Sequence, residues 1–85
     1  MSQVKVVFFA SLKESLGVSE AFIELDGLTS IEEIKQKLNA SLVNPDPLFE
    51  EGIQCSIDYV FARDSSKVDP DTVKEIAFFP PVTGG

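Results

Sequence analysis

The sequence predicts an α+β domain in which a mixed β-sheet carries one main helix on one face. Several segments are rich in β-branched and aromatic residues, or alternate between apolar and polar ones, and both patterns are typical of strands. Only one long segment, which begins at Ser30, has apolar residues at helical spacing. The chain has 85 residues, 44% of them apolar and 25% charged, so it has room for one modest core and the composition of a folded protein.

Strands are predicted from residue type and from alternation. Residues 4–9 are mostly β-branched or aromatic, and apolar and polar side chains alternate in residues 53–57. The full set of predicted strands is residues 4–9, 21–25, 53–57, 59–62 (a short one) and 74–79. Pro80 and Pro81 end the last strand because proline cannot donate a ladder hydrogen bond. Turns or breaks are predicted at residues 26–27, 44–47, 64–67 and 69–71.

Two helices are predicted from their boundary signals. Residues 10–16 form a short helix that ends at Gly17, a residue suited to the left-handed backbone after a helix. Ser30, with Glu33 three positions later in capping-box spacing, begins the main helix. The apolar stripe that packs on the sheet comprises Ile31, Ile34 and Leu38, with Leu42 as a candidate fourth member.

The order strand, strand, helix, strand, short strand, strand is that of the β-grasp fold. A ferredoxin-like layout is the alternative, but it needs a second full helix. Pro70 and its turn-forming neighbours leave no room for that helix. We therefore expect a β-grasp domain over residues 1–81 and a flexible Gly-Gly tail over residues 82–85.

Charge and composition exclude several classes of function. Fourteen acidic residues against seven basic ones give a net charge of −7, which repels phosphate backbones and argues against a nucleic-acid partner. The acidity serves either solubility or steering toward a basic protein partner. With no histidine and one cysteine, the chain lacks the usual zinc spacings and an internal disulfide, so we expect no bound metal or cofactor and a reducing compartment. Met1-Ser2-Gln3 does not resemble a signal peptide and no segment is long enough to span a membrane, so we expect a cytoplasmic protein.

Few side chains are available for catalysis. Cys55 shares a strand face with Ile53 and Ile57, which predicts a buried, unreactive thiol. The acid pairs at 32–33 and 50–51 are better explained by a helix start and a solvated loop. Side-chain catalysis is therefore not expected from this chain.

The last four residues, Val-Thr-Gly-Gly at 82–85, are the remaining candidate for chemistry. Two glycines allow the narrow channel of an enzyme to close around the main chain. The α-carboxylate of Gly85 is then the reactive group: ATP converts it to an acyl-adenylate, and a sulfur nucleophile displaces AMP to leave a thiocarboxylate. A frayed terminus is the alternative, but Pro80 and Pro81 start a stiff, extended segment, and this favours function.

Strand parity predicts an aromatic surface beside the tail. In the first and last strands Lys5 and Glu75 mark the solvent side, and Phe9 and Phe79 share it. Phe61 is expected to join them. Adjacent exposed aromatic residues mark interaction sites, although a second small core under a loop would also use them. The predicted partner-binding residues are Phe9, Phe61, Phe79, Pro80, Pro81, Val82 and Thr83.

Over its whole length the sequence resembles the small subunits of molybdopterin synthase. The resemblance lies in residues 4–10, in the turn at 12–17, in the helix start at Ser30 and above all in residues 77–85, Ala-Phe-Phe-Pro-Pro-Val-Thr-Gly-Gly. It implies a ubiquitin-like fold and a cycle in which a ubiquitin-activating-like adenylyltransferase uses ATP to adenylate Gly85, which is then sulfurated with the help of a sulfur donor protein.

The resemblance also implies what the carrier does next. The tail, with Gly84 giving access and Gly85 carrying the thiocarboxylate, inserts into the large synthase subunit and donates sulfur to a cyclic pterin monophosphate. Two such transfers build the dithiolene of molybdopterin, within a heterotetramer that has a central dimer of large subunits.

The sequence departs from the pattern of this family at three places. Lys13 stands where arginine is common, Asp58 stands where asparagine is common, and residues 69–73 replace a glycine turn. These departures bear on partner affinity and loop geometry rather than on the tail. The alternatives are a sulfur carrier for thiamine thiazole synthesis or transfer-RNA thiolation, a ubiquitin-like modifier joined to lysines, and a passive interaction domain.

Overall fold

The computed structural model describes residues 2–81 and has an α+β architecture. A five-stranded mixed sheet carries the main helix on one face, and two further strands form a separate ribbon. In chain order the elements are β1 (Ser2–Phe8), α1 (Ala10–Leu16), β2 (Glu20–Leu25), β3 (Thr29–Ser30), α2 (Ile31–Ser41), a 3-10 helix (Asp46–Phe49), β4 (Gln54–Ile57), β5 (Val60–Ala62), β6 (Lys67–Val68) and β7 (Ile76–Phe79).

The strand order of the sheet is β2-β1-β7-β4-β5. The neighbours β1 and β7 run parallel, with Phe8 beside Phe78, whereas the other neighbouring pairs are antiparallel. The last strand in sequence therefore lies in the middle of the sheet, and the chain leaves the sheet at its centre after Phe79. This arrangement confirms the predicted β-grasp fold.

Helix α2 begins at the predicted cap. The Oγ atom of Ser30 accepts the backbone N–H of Glu33 at 3.2 Å, and the Ser30 hydroxyl lies 3.2 Å from a carboxylate oxygen of Glu33. The helix ends at Ser41, so Leu42 is its C-terminal cap and packs against the edge of the core. The fully buried stripe that faces the sheet consists of Ile31, Ile34 and Leu38.

Three short elements, β3, β6 and the 3-10 helix, were not predicted from the sequence. Strands β3 and β6 pair with Thr29 opposite Val68, although residues 64–67 were predicted as a turn. These two-residue strands exist only because they pair with each other across a long stretch of chain. The 3-10 helix follows Pro45 and has Pro47 in its first turn. Backbone N–H groups in the first turn have no acceptor within the helix, so proline, which lacks an N–H, is tolerated there.

The last strand was predicted to begin at Lys74, but β7 begins at Ile76. The backbone N–H groups of Lys74 and Glu75 donate to a side chain outside the sheet instead of to a neighbouring strand. The Asp58 carboxylate accepts the backbone N–H groups of Lys74 at 2.8 Å and Glu75 at 2.9 Å. Asp58 and Tyr59 form the tight turn between β4 and β5, with left-handed φ values of +48° and +71°. The Asp58 N–H also donates to the Glu75 carbonyl at 2.9 Å. Asp58 thus ties this hairpin to the start of β7.

Loss of this tie is expected to destabilise the protein. We predict that Asp58→Ala lowers the free energy of unfolding by about 1–3 kcal/mol, because two backbone N–H groups lose a charged acceptor. Asp58→Asn keeps a side-chain oxygen and should cost much less. Denaturant unfolding of both variants measures the difference, and an alanine variant as stable as the wild type would show that the tie contributes nothing.

Cys55 lies in the core, as its strand parity predicted. It is 4% exposed, and its Sγ atom lies 3.5 Å from the Ala62 carbonyl oxygen. Burial raises the pKa of the Cys55 thiol above its ordinary value; Lys35 lowers that pKa and Asp64 raises it, both by less. The thiol therefore stays neutral in the folded protein.

Cys55→Ala is expected to cost about 1–2 kcal/mol of stability, as small core truncations do, and to leave activity per folded molecule unchanged. The wild-type free energy of unfolding should also fall as pH rises past the ordinary thiol pKa, because the unfolded thiol ionises before the buried one. The alanine variant should lack that fall. Denaturant unfolding at several pH values measures both effects, and loss of activity in a fully folded variant would contradict the core role.

Candidate functional site

The candidate site is the end of β7 and the surface around it. Phe79 closes β7, and the chain continues through a partly buried Pro80 to an exposed Pro81. The remaining predicted site residues, Val82, Thr83, Gly84 and Gly85, lie outside the described residues. Their roles stay predictions, and so does the boundary between domain and tail at residue 82.

Two of the three predicted aromatic residues are in contact on the sheet face opposite α2. Phe61 in β5 and Phe79 in β7 approach each other across β4, with ring centroids 5.8 Å apart and planes inclined by 62°. This edge-to-face geometry is a preferred one for aromatic pairs. Phe61 is 71% exposed and Phe79 is partly buried. The pair therefore presents an accessible aromatic surface beside the start of the tail.

Phe9 lies on the other side of β7. The sequence predicted Phe9 as the last residue of the first strand, but β1 ends at Phe8. Phe9 is instead the N-cap of α1, because the chain turns there into the helix. Its backbone N–H donates to the Phe78 carbonyl at 3.2 Å, and half of its surface is exposed. The end of β7 thus has Phe61 on one side and Phe9 on the other.

The same sheet face holds an exposed apolar residue that the sequence pattern did not single out. Phe22 in β2 lies opposite Lys5 and is 54% exposed. The alternation of side chains along β2 could have predicted that Phe22 faces solvent. Ala77 also faces this side but is buried, because its central strand has Val7 and Ser56 as neighbours on either side. Only the strand order, which the sequence does not give, reveals this burial.

Exposed apolar surface continues along the hairpin between β4 and β5. Tyr59 and Val60, next to Phe61, are both mostly exposed. Adjacent exposed apolar residues of this kind are typical of interaction surfaces. The partner-binding role predicted for Phe9, Phe61 and Phe79 is compatible with this placement but stays a prediction.

The residues named so far in this region are mostly aromatic or aliphatic. Across residues 2–81, no cluster of three or more His, Cys, Asp or Glu side chains is arranged to hold a metal ion. Nor does that part of the chain contain a helix long and apolar enough to cross a membrane. On the sheet face beside the tail, Lys5 forms an exposed ion pair with Glu20 at 3.7 Å.

The fold and the position of the C-terminal strand define a small ubiquitin-like β-grasp protein. Solved structures that share the fold include the following three. SAMP1 from Haloferax volcanii has a TM-score of 0.75 and 22% identity, over 99% of this chain and 100% of that one. A Pyrococcus furiosus protein described as a molybdopterin converting factor, subunit 1, has a TM-score of 0.70 and 19% identity, over 96% and 100%. The Haloferax volcanii protein HVO 2177 has a TM-score of 0.72 and 18% identity, over 99% and 87%.

Residues 6–85 match the ThiS family, and the chain belongs to that family of ubiquitin-like sulfur carriers. A comparison with curated proteins finds no match. Family membership implies that the protein donates sulfur within a sulfurtransferase system and works with an enzyme partner. The predicted sulfur-carrier class is therefore confirmed, at a level that does not specify the pathway.

Proposed function

We propose that this chain is the sulfur-carrying small subunit of a molybdopterin synthase and acts in the cytoplasm. The observation that carries the proposal is the segment 77–85, in which Phe-Phe-Pro-Pro leads from the central strand to Val-Thr-Gly-Gly. Membership of the ThiS family supports the sulfur-carrier part of the proposal. The aromatic approach to the tail favours this pathway over thiamine thiazole synthesis or transfer-RNA thiolation.

In the proposed cycle the chemistry takes place on the carboxylate of Gly85. A ubiquitin-activating-like adenylyltransferase joins that carboxylate to AMP and releases pyrophosphate from ATP. A hydrosulfide equivalent from a sulfur donor protein then attacks the acyl carbon, and AMP leaves as the C–S bond forms. The product is a thiocarboxylate, whose sulfur is the nucleophile for the pterin. ATP is thus a substrate of the activating enzyme and not a ligand of this chain.

The folded domain has two tasks in this proposal. It docks the carrier on the large subunit, and it presents the tail to the catalytic site of that subunit. Phe79, which contacts Phe61, is the last residue of β7 and precedes the tail by three residues, so docking through these rings would bring the tail near its target. The net charge of −7 suits a basic partner, because opposite charge accelerates encounter.

Reconstitution tests the pathway. The thiocarboxylated chain, mixed with cyclic pterin monophosphate and the molybdopterin synthase large subunit of the same organism, should yield molybdopterin, measured by pterin fluorescence after oxidation. The carboxylate form of the chain is the control and should yield none. Product from a thiazole synthase instead, with none from the large subunit, would refute the pathway while leaving the carrier chemistry intact.

A protein-modifier function is the main competing outcome. One structure with the same fold is that of small archaeal modifier protein 1. A modifier would form isopeptide bonds with lysines of other proteins, and denaturing gels of cell extracts would show covalent ladders that contain this chain. A dedicated carrier should give none.

A further inference from the structure

Gly52 and Pro81 meet where the pairing of β4 and β7 would continue past the ends of both strands. The ladder places Gln54 opposite Phe79. The same antiparallel register, continued for two residues, brings Gly52 opposite Pro81. A Cβ atom placed on Gly52 would lie 3.2 Å from Pro81 Cγ and 3.6 Å from Cδ, so the proline ring rests against the glycine backbone.

Two independent constraints disfavour a side chain at Gly52. Its φ of +93° lies in the left-handed region that favours glycine. The Ile53 N–H donates to the Glu50 carbonyl at 3.4 Å and closes a turn around it, a turn in which this φ is required at the third position. A Cβ atom at residue 52 would also press against Pro81 Cγ at 3.2 Å, so the proline ring would have to move by a few tenths of an ångström.

Packing is what orients Pro81, because proline has no N–H with which to extend the ladder. Beside the Gly52 contact, Pro80 and Pro81 line a groove of about 220 Å³. Its other walls come from α1 and the 3-10 helix, through Leu12 and Pro47 among others. The position of the proline ring therefore depends on the absence of a side chain at residue 52.

We propose that Gly52 is a positioning residue, whose bare backbone seats the Pro81 ring and so sets the direction in which the tail leaves the sheet. The inference deepens the proposed function and rests on it where it concerns Gly85. Gly52 does not touch the reacting atoms and acts only through Pro81. Direction matters because a displacement of about 1 Å at the reacting group can lower a rate by about a hundredfold.

Gly17 provides a matched control. Its φ is +80°, close to that of Gly52, but a Cβ there would meet nothing within 4 Å. Gly17→Ala and Gly52→Ala therefore introduce a similar left-handed backbone penalty. Only Gly52→Ala is expected to displace Pro81. A difference between the two variants in tail signals or adenylation rate therefore measures the effect of the contact between residue 52 and Pro81.

The experiment measures the tail and the chemistry separately. Backbone amide NMR signals of residues 82–85 should shift in Gly52→Ala and stay in place in Gly17→Ala. The kcat/KM for ATP-dependent adenylation of Gly85 by the adenylyltransferase of the same organism should fall about tenfold or more only in Gly52→Ala. If the wild type is not adenylated at all, the proposed function fails, whereas the NMR comparison still decides whether Gly52 seats Pro81.

A double variant provides the rescue. In the Pro81→Ala background Cγ and Cδ are absent, and the remaining Cβ lies 3.7 Å from the added methyl, an ordinary contact. There Gly52→Ala should affect the tail signals and the adenylation rate no more than Gly17→Ala does. If Gly52→Ala alone does not fold, the inference requires that the double variant folds. Equal tail signals in the two glycine variants, or no relief in the Pro81→Ala background, would overturn the proposal.

Discussion

Deletion of Gly85 is expected to abolish thiocarboxylate formation and sulfur transfer while leaving the unfolding temperature of the domain unchanged. In the proposed mechanism the chemistry takes place on one carboxylate, that of Gly85, at one distance from the docking surface. The one thiol of the chain, Cys55, is buried. Addition of one residue after Gly85 should have the same effect, because it replaces the reactive carboxylate with a peptide bond and moves the new one outward. Intact mass after loading and molybdopterin yield measure the two losses.

Gly27→Ala is a suitable control for these tail variants. A Cβ on Gly27 would meet nothing within 4 Å, so the substitution alters a glycine without touching the site. It should load and transfer sulfur as the wild type does. Normal synthase activity in the protein that lacks Gly85 would rule out the tail mechanism.

Truncation of Phe79 is the second change with a large expected effect. Its ring contacts Phe61 beside the start of the tail, and buried aromatic anchors dominate the energetics of interfaces. Phe79→Ala is expected to weaken binding to the large subunit by about 2 kcal/mol or more, which is about thirtyfold in affinity. Titration calorimetry beside thermal unfolding, on the same samples, separates weaker binding from weaker folding.

Phe22→Ala is the matched control for Phe79→Ala. Phe22 is a phenylalanine on the same sheet face, more exposed than Phe79, but it lies on the edge strand β2, on the far side of β1 from β7. The Phe22→Ala variant should therefore bind nearly as the wild type does.

The charge reversal Glu24→Lys on the same strand should change chiefly the association rate and its salt dependence. Equal losses for Phe79→Ala and Phe22→Ala, or normal binding by Phe79→Ala, would show that the docking surface lies elsewhere.

Local signals in the sequence predicted most of the fold. The caps at Ser30 and Gly17 depend on neighbouring residues, and both occur as expected. Alternation within one strand likewise placed Cys55 in the core and Phe79 on the outer face, because the direction of a side chain depends only on its position in the strand.

Features that depend on distant pairing could not be predicted in this way. The β3–β6 ribbon has no signal in either two-residue segment, since each is a strand only through the other. The hydrogen bonds from Lys74 and Glu75 to Asp58 likewise join residues far apart in sequence, and they shorten β7 at its start. Both require knowledge of which strands are neighbours.

In the candidate site, too, local features could be predicted from the sequence and features that depend on strand pairing could not. Its chemistry was predicted from the residues 77–85, because a Gly-Gly end after two prolines suggests a mechanism without any tertiary information. The seat of Pro81 on Gly52 was not predicted, because it follows from the register of β4 against β7. In the sequence Gly52 indicates only a turn before a strand.

The intact mass of the chain after incubation with ATP, its adenylyltransferase and a sulfur source tests the central claim most directly. The account predicts that the mass increases by the difference between one sulfur and one oxygen atom, that the increase maps to Gly85, and that it disappears when ATP is omitted. Adenylation of Gly85 that is never followed by the replacement of oxygen by sulfur, or a mass increase that maps to Cys55, would contradict this mechanism.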